Sequence, residues 1–405
     1  MDDETARLRR LFFFDAVCRE GGICQAAHAI GMTQPAVSQA IKKLEGSYGA
    51  VLFARGHGGS ELTREGTLLH RRVRRMFDQM EAAVTEVLTG AKGRVHSAAV
   101  VCRHLTDAQL RCHVAIAQLG SAVDAARQLC ISQAAVHRAA RELEETVGVT
   151  LYRRRVHNVS ANPAGLELAR KLSLAMHEIG QAASDLASAR GLTSGQVAIG
   201  VLPLLPQRLL ARAIGRLRIA YPDAAVTIHE GQHSHLMQAL QFGAIDVIVG
   251  ALRIPRLQGA VTESELFDDP YVVVVRYGHA LARRARISGR DLAAYDWVVP
   301  QKDMPRRAVV DAMLATLPQR PRVAVETSSL AMMMTMLEES DCISLLSRSH
   351  ILYGNYRDDV VALKIATLEK DRSVGLTTRT DWLATPVQQA FIEHLREQCR
   401  LDHTG

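Results

Sequence analysis

The stretch that decides the fold spans Met32–Glu45 and reads MTQPAVSQAIKKLE. Thr33 suits the N-cap of a helix and Pro35 suits its first turn, so the spacing predicts a helix from about residue 34 to residue 48. Three apolar residues share one face of this helix: Val37, Ile41 and Leu44. The opposite face carries polar and basic side chains: Gln34, Ser38, Gln39, Lys42 and Lys43. The pattern indicates a half-buried helix that turns hydrogen-bonding and positive groups to solvent.

The flanking sequence supplies the rest of a small module. Apolar residues recur at spacings of three and four over residues 8–16, which predicts an amphipathic helix that ends at Gly21–Gly22. Residues 25–30 predict a short second helix, and Gly31 marks the turn before the third. Residues 50–63 predict a β-hairpin, or wing, around a glycine-rich loop. This order is typical of a winged helix-turn-helix; the alternative is a small helical domain with a solvated charged face.

The first half of the chain repeats itself at an offset of 99 residues. Between residues 21–55 and 120–154, 12 of 35 ungapped positions are identical. A heptad seam follows each copy. Its residues are Leu69, Val73, Met76, Met80, Ala83 and Val87 in the first copy, and Leu168, Leu172, Ala175, Ile179, Ala182 and Leu186 in the second. We interpret the repeat as a duplicated module whose last helix pairs with another helix. The alternative is a surface helix packed on its own domain.

Several segments of the first copy resemble the N-terminal module of LysR-type transcriptional regulators. They are Ala26–Ala27, Met32–Glu45, Leu52–Arg55 and Leu62–Gly66. The resemblance implies that the third helix enters the major groove of double-stranded DNA. It also implies a homo-dimer or homo-tetramer formed through the heptad helix, the linker helix of the family. The implied DNA contacts are Thr33, Gln34, Pro35, Ala36, Ser38, Gln39, Lys42, Lys43, Arg55, Thr63 and Arg64. Gly58 replaces the family's usual basic wing residue, which argues against a strong minor-groove contact.

The second copy differs at positions that are expected to read DNA. The proline, the serine and one lysine of the first reading helix are replaced by Ala134, His137 and Glu142. Glu142 repels phosphate, whereas the arginines of this copy can clamp it. The DNA contacts expected here are Ser132, Gln133, His137, Arg138, Arg141, Arg153, Arg154 and Arg155. The alternative is a solvated face on a module that serves only dimerisation.

From Gly195 onward, short apolar runs alternate with helical patterns, which predicts a mainly parallel sheet with helices on both faces. This half resembles the effector-binding domain of the same regulators, which is similar to type II periplasmic binding proteins. The branch with the galactose-binding-protein and protocatechuate-operon regulators is most alike. The segments that carry the resemblance are Gly195–Gly200, Arg218–Pro222, Gly243–Val247, Leu266–Pro270, Gly278–Ala282 and Glu326–Ser329. We therefore expect two small α/β lobes with a cleft between them.

The loops that follow the strands are expected to line that cleft, because ligands bind outside the carboxyl ends of strands. The expected effector contacts are Leu202, Pro203, Leu204, Gln232, His233, Ser234, Arg253, Gln301, Arg306, Thr327, Ser328 and Ser329. Hydroxyls at a helix start suit an anionic or hydroxylated ligand, and Arg253 or Arg306 can pair with a carboxylate. We expect a small carboxylate or a polyhydroxylated metabolite. Plain N-capping is the alternative role of Ser328 and Ser329, and the two roles can coexist.

Composition limits the classes of function. The net charge is +3 over residues 1–95, +3 over residues 96–192 and +1 over residues 193–405, so a polyanion would bind in the first half. The chain shows no membrane helix and no signal peptide, and its seven cysteines form no Cys-x-x-Cys pair. These features indicate a cytoplasmic protein with reduced thiols. No glycine loop for phosphate and no catalytic motif is present, so neither an enzyme nor a cofactor is expected.

One cluster of residues has the chemistry of metal ligands: His229, Glu230, His233 and His235. No cysteine and no second acidic cluster lies nearby in sequence, so we prefer turn and capping roles for these side chains and expect no metal.

These observations predict a multidomain fold. It consists of two all-α winged helix-turn-helix units with linker helices, followed by a two-lobed α/β domain like the periplasmic binding proteins. The expected ranges are 1–66 and 67–93 for the first unit and its linker helix, 104–163 and 164–191 for the second, and 193–405 for the effector domain, with lobe I at 193–265 and 366–405 and lobe II at 266–365. The predicted function is an effector-controlled, DNA-binding transcription regulator. The alternative is a small-molecule binding protein whose first half serves only assembly.

Overall fold

The structure is a computed structural model that describes residues 7–56, 59–89, 97–155, 158–203, 205–252, 260–302, 304–353, 359–365 and 372–403. The first part contains three helices, a hairpin and a long helix: α1 (Arg7–Glu20), α2 (Ile23–Ala29), α3 (Gln34–Tyr48), β1 (Phe53–Gly56), β2 (Gly59–Leu62) and α4 (Arg64–Thr89). After α5 (Ala98–His104) the same order of elements follows: α6 (Asp107–Leu119), α7 (Ala122–Leu129), α8 (Gln133–Val147), β3 (Tyr152–Arg155), β4 (Asn158–Ala161) and α9 (Pro163–Ala189).

Equivalent positions in the two parts make equivalent contacts. Glu45 Oε1 accepts a hydrogen bond from the Leu52 backbone N–H at 2.8 Å. Glu144 Oε1 accepts from the Leu151 backbone N–H at the same distance. In each part a carboxylate thereby ties the third helix to the segment that leads into the hairpin. The shared bond explains why glutamate occurs at both positions.

The long helices α4 and α9 pack against each other along their heptad seams. The pairing is antiparallel, because Arg72 near the start of α4 contacts Asp185 near the end of α9. Lys171 near the start of α9 in turn contacts Glu86 near the end of α4. All twelve predicted seam residues are buried. The seam pattern predicted a helix that pairs with another helix, and in the structure the two seams of one chain cover each other. In this structure α9 of the same polypeptide buries the seam of α4.

The α/β part begins with β5 and contains a five-stranded sheet in the order β6-β5-β7-β14-β8. The strands and helices of this region are β5 (Ser194–Val201), α10 (Gln207–Ala220), β6 (Asp223–Glu230), α11 (His233–Gln241), β7 (Val247–Ala251), β8 (Val261–Asp268), β14 (Ser373–Arg379) and α16 (Pro386–His403). Only β5–β6 and β5–β7 are parallel, whereas β14 pairs antiparallel with both β7 and β8. The prediction of a mainly parallel sheet is therefore wrong. The chain leaves this sheet after β8 and returns between β7 and β8 as β14, which runs antiparallel to both.

A second group of strands lies between β8 and β14 in the chain. It contains β9 (Tyr271–Arg276), a 3-10 turn (Ala280–Arg283), α12 (Gly289–Ala293), β10 (Trp297–Val299), α13 (Pro305–Ala315), β11 (Val323–Glu326), α14 (Leu330–Glu338), β12 (Ser344–Ser347), α15 (Arg348–Tyr353) and β13 (Val360–Ala362). β9 is flanked by β12 and β13, both antiparallel to it, and β10 pairs parallel with β11. Trp297 is fully buried in the core of this group. Among the described residues, no helix combines the length and the apolar composition that crossing a bilayer requires.

Candidate functional site

Helix α3 presents one polar face to solvent. Gly31, at a φ of +66°, makes the turn, and the Met32 N–H donates to the Ala27 carbonyl at 2.8 Å. The apolar face of α3 is buried in a hydrophobic core shared with α1 and α4, with Val37 fully enclosed. The exposed residues are Thr33, Gln34, Pro35, Ser38, Gln39, Lys42 and Lys43, and Ala36 is half-buried. Amide and hydroxyl groups of this kind can bond base edges, and the lysines can pair with phosphates.

Three predicted DNA contacts lie on or just after the first hairpin, β1–β2: Arg55, Thr63 and Arg64. Thr63 is half-buried, donates its hydroxyl to the Val51 carbonyl at 2.7 Å and accepts from the Gly66 N–H at 2.9 Å. It therefore fixes the start of α4. Arg64 is exposed and donates to the Ala189 carbonyl at the end of α9 at 3.4 Å. Arg55 lies on β1 opposite Ser60, but its side chain is outside the described part of the structure, as is Gly58.

Helix α8 has the same exposed face with different chemistry. Ser132 caps it by accepting a hydrogen bond from the Ala135 N–H at 3.2 Å. Its exposed residues are Ser132, Gln133, Arg138, Arg141 and Glu142, and His137 is half-buried. Arg153 is exposed on β3, whereas the side chains of Arg154 and Arg155 lie outside the described residues. This face offers fewer neutral hydrogen-bonding groups than α3 and more guanidinium groups.

The predicted effector residues lie at several strand ends. Leu202 is half-buried after β5 and Pro203 is exposed, while Leu204 and Arg253 are outside the described residues. At the start of α11, Gln232 and Ser234 are exposed and His233 is half-buried. Gln301 is exposed after β10. The hydroxyl of Ser329 accepts from the Met332 N–H at 3.2 Å, and Thr327 Oγ1 accepts from the Ser329 N–H at 3.1 Å. Ser329 therefore does cap α14, with Ser328 beside it.

Arg306 differs from the other predicted effector residues because it is only 5% exposed. Its Nη2 lies 3.5 Å from Met333 Sδ, and among the described residues its Nε and Nη1 have no hydrogen-bond partner. Burial lowers the pKa of this guanidinium to about 10, and Tyr271 and Arg372 are its charged or ionisable neighbours. Burial of a guanidinium is unfavourable where two of its three nitrogens have no acceptor among the described residues.

Sequence reasoning missed a buried polar cluster beside Arg306. Asp269 accepts hydrogen bonds from the Ser349 backbone N–H at 2.8 Å and its hydroxyl at 2.7 Å, and it pairs with Arg372. The Ser347 hydroxyl lies 2.6 Å from Nδ1 of His350, and burial lowers the pKa of His350 to about 4. The SRSH sequence at 347–350 was the available signal, because four polar residues follow an apolar strand.

The four residues His229, Glu230, His233 and His235 lie on β6 and at the start of α11. His229 and Glu230 are exposed, and the described residues contain no group of three or more His, Cys, Asp or Glu side chains placed to hold a metal ion.

Comparison with known proteins identifies both parts of the chain. The model of the LysR substrate binding domain matches residues 190–400. The model of the bacterial regulatory helix-turn-helix protein, lysR family, matches residues 8–67 and again residues 108–166. The transcriptional regulator GalR of Pseudomonas putida is 27% identical over 399 residues, which cover 98% of both chains. The regulator PcaQ of Agrobacterium fabrum is 26% identical over 291 residues, 71% of this chain and 93% of its own.

A solved structure supports the fold. A full-length single-site variant of OxyR from Pseudomonas aeruginosa superposes with a TM-score of 0.54 at 24% identity, covering 74% of this chain and 95% of that one. The family models together cover most of the sequence, and the family consists of transcriptional regulators rather than enzymes. The chain therefore belongs to the LysR family of DNA-binding transcriptional regulators, with a domain that binds an effector.

Proposed function

We propose that the chain binds double-stranded DNA through two winged helix-turn-helix units, at residues 1–66 and 104–163, each followed by a linker helix, at 67–93 and 164–191. Two separate matches to the family's helix-turn-helix model support this division. The exposed polar face of α3 carries the proposal for DNA reading. Gln34, Ser38 and Gln39 contact base edges, and Lys42 and Lys43 contact phosphates, because amides discriminate bases and ammonium groups do not.

Binding to a duplex selected from a random pool tests this assignment. Gln39→Ala should cost about 1–3 kcal/mol at the selected site and relax the preference at one base pair. Lys43→Ala should weaken binding to all sequences alike and reduce the salt slope by about 1. Gln118→Ala, which removes an exposed amide from α6, is the matched control and should change neither. Unchanged base preference in Gln39→Ala would contradict the assignment.

We also propose that a small anionic effector binds at Arg306, between lobe I (residues 193–265 and 366–405) and lobe II (residues 266–365). Arg306 is a buried donor with two unpartnered nitrogens among the described residues. It contacts Met333, which follows the cap residue Ser329 by one turn of α14. Arg306 therefore lies close to the helix start where hydroxyls and backbone N–H groups favour negative charge. A carboxylate that also carries hydroxyl groups would satisfy both sets of donors.

Calorimetry of the full chain against small carboxylates, polyols, amines and apolar molecules tests the effector class. We expect a carboxylate to bind, and Arg306→Met to abolish its binding. The same variant should raise the free energy of unfolding without ligand by about 1 kcal/mol or more, because it removes an unpaired buried charge. Arg286→Met changes an exposed arginine of the same domain and should leave binding intact. Binding of amines or apolar molecules alone would refute the anionic class.

We infer that the effector acts on DNA binding through α9, which continues into β5 after a short link. The Ser173 hydroxyl donates to the Phe242 carbonyl at 2.6 Å, so α9 is held to the effector domain beside α11. Gln388 Nε2 donates to Gln181 Oε1 at 3.2 Å, and both side chains are buried. A shift of the sheet would therefore move the linker helix. Gln388→Leu should reduce the ratio of DNA affinities with and without effector towards one, while Gln389→Leu, at an exposed neighbour, should not.

A further inference from the structure

The pairing of α4 with α9 follows a two-fold symmetry within one chain. Arg72 Nε donates to Asp185 Oδ2 at 2.7 Å. Lys171 donates to Glu86. Residue 171 is the repeat equivalent of residue 72 at the offset of 99, and residue 86 is the equivalent of residue 185. The second ion pair is therefore the image of the first, which is the relation that a two-fold interface imposes on its residues.

A contact between equivalent residues locates the axis of this symmetry. The Leu8 backbone N–H donates to Asp107 Oδ2 at 3.1 Å, and residues 8 and 107 are equivalent at the same offset. Equivalent residues meet in a two-fold assembly only close to the axis. The starts of α1 and α6 therefore lie beside the axis. A rotation about an axis leaves heights along it unchanged, so this symmetry sets α3 and α8 at the same height along the axis.

The symmetry is broken in a way that favours the pairing of unlike helices. Glu178 of α9 accepts from Arg72 at 2.7 Å and from Arg75 at 3.1 Å. Its equivalent in α4 is Gln79, whose Oε1 is buried without a donor among the described residues. Two copies of α4 paired together would place Arg72 opposite glutamine instead of Glu178. Glu178 is one of the two acids that neutralise this buried arginine, and it has no acidic equivalent on α4.

The two reading faces that this pairing presents differ in chemistry. Gln39 of α3 corresponds to Arg138 of α8, and Lys43 corresponds to Glu142. We propose that one chain occupies a complete DNA site with two unlike halves: α3 reads bases in one half, and α8 holds the other half mainly through phosphates. This inference rests on the proposed DNA-binding function. It differs from the arrangement in which two identical units from two chains read an inverted repeat.

Selection of sites from a random duplex pool by the full chain, followed by footprinting, tests the inference. We expect a directional site, in which Gln39→Ala relaxes base preference in one half only. Arg138→Ala with Arg141→Ala should shorten protection in the other half and reduce the salt slope by about 2, with the selected bases unchanged. Arg141→Ala alone, at an exposed position, should give a smaller change of the same kind. A thermal melt of each variant excludes unfolding as the cause.

Selected sites that are inverted repeats, with both halves relaxed equally by Gln39→Ala, would overturn the inference and leave the proposed function standing. An unchanged footprint and salt slope in the folded Arg138→Ala/Arg141→Ala variant would also overturn it. A wild-type chain that retains no duplex in a salt-dependent manner would instead overturn the proposed function itself.

Discussion

Arg72 donates a hydrogen bond from Nη1 to Glu178 Oε2 at 2.7 Å, and both side chains are buried where α4 meets α9. Asp185 and Arg75 extend this contact to a network of two cations and two anions. Because the charges are paired and hydrogen-bonded, the network can be accommodated away from water. It also fixes the antiparallel register of the two helices, since a shift of one turn would separate the partners.

Removal of Arg72 should therefore destabilise the linker-helix pair strongly. Arg72→Met leaves buried Glu178 with Arg75 as its partner and removes the cation that pairs with half-buried Asp185, and we expect the free energy of unfolding to fall by about 3 kcal/mol. Arg71→Met changes an exposed neighbour on the same helix and should alter stability by less than about 0.5 kcal/mol. Urea denaturation measures both. Equal stability of the two variants would mean that the network contributes nothing to the pairing.

The two units share a glycine that the fold requires. A Cβ at Gly66 would lie 2.1 Å from the Leu52 carbonyl oxygen, and a Cβ at Gly165 would lie 2.2 Å from that of Leu151. We expect Gly66→Ala and Gly165→Ala each to cost about 1–3 kcal/mol, because backbone must move to relieve the overlap. Gly180→Ala is the control: apart from the adjoining backbone of α9, no atom of the described residues lies within 4 Å of its Cβ position, and alanine should stabilise α9 by up to about 1 kcal/mol. Thermal melts measure the stability of each variant. A Gly165→Ala variant as stable as the wild type would show that α9 does not pack against the Leu151 carbonyl as described.

A buried histidine of the second unit predicts a loss of stability in acid. His113 is fully buried with Nδ1 2.7 Å from the Tyr152 hydroxyl, and burial lowers its pKa from 6.5 to about 4. The unfolded chain therefore binds a proton between pH 6.5 and 4 that the folded unit excludes, so stability is full above pH 6.5 and falls as the pH drops through this range. The loss should reach about 2 kcal/mol at about pH 5 from this residue.

Urea midpoints at about pH 7 and about pH 5 measure the effect, with His113→Phe as the test variant. His350 in the effector domain has a pKa lowered to about 4 by burial and adds a similar term. The variant should thus lose part of the acid sensitivity, while His28→Gln, at an exposed position, should lose none. An unchanged pH dependence in His113→Phe would show that this imidazole does not control it.

Much of the first half could be predicted from the sequence because its signals are local. The turn at Gly31, the apolar face of α3 and the heptad seams all follow from spacing within a few residues. The partner of the seam could not be predicted. A heptad pattern reads the same whether the second helix is a second copy of α4 or is α9, whereas the contacts of Arg72 with Glu178 and of Lys171 with Glu86 specify α9.

The effector domain was harder to predict because its decisive contacts are distant in sequence. Nothing near β14 indicates that it returns between β7 and β8, so the mixed sheet was missed. Arg306 was selected for its charge, but its burial and its contact with Met333 depend on α14, which lies more than 20 residues away. The pairing of Asp269 with Ser349 and Arg372 likewise joins segments separated by 80 and 103 residues.

The most direct test of the account is whether α4 and α9 of one chain pair with each other. Lys171 and Glu86 are in contact and partly exposed, so a carbodiimide can join them in an amide bond without a spacer. Chains labelled with ¹⁴N and with ¹⁵N would be mixed in equal amounts in denaturant, refolded together, checked for recovered secondary structure and cross-linked. We predict that every Lys171–Glu86 linked peptide carries a single isotope, because both residues come from one chain. Pairing between chains would instead give about half of these peptides with one isotope on each side, and that result would contradict the account.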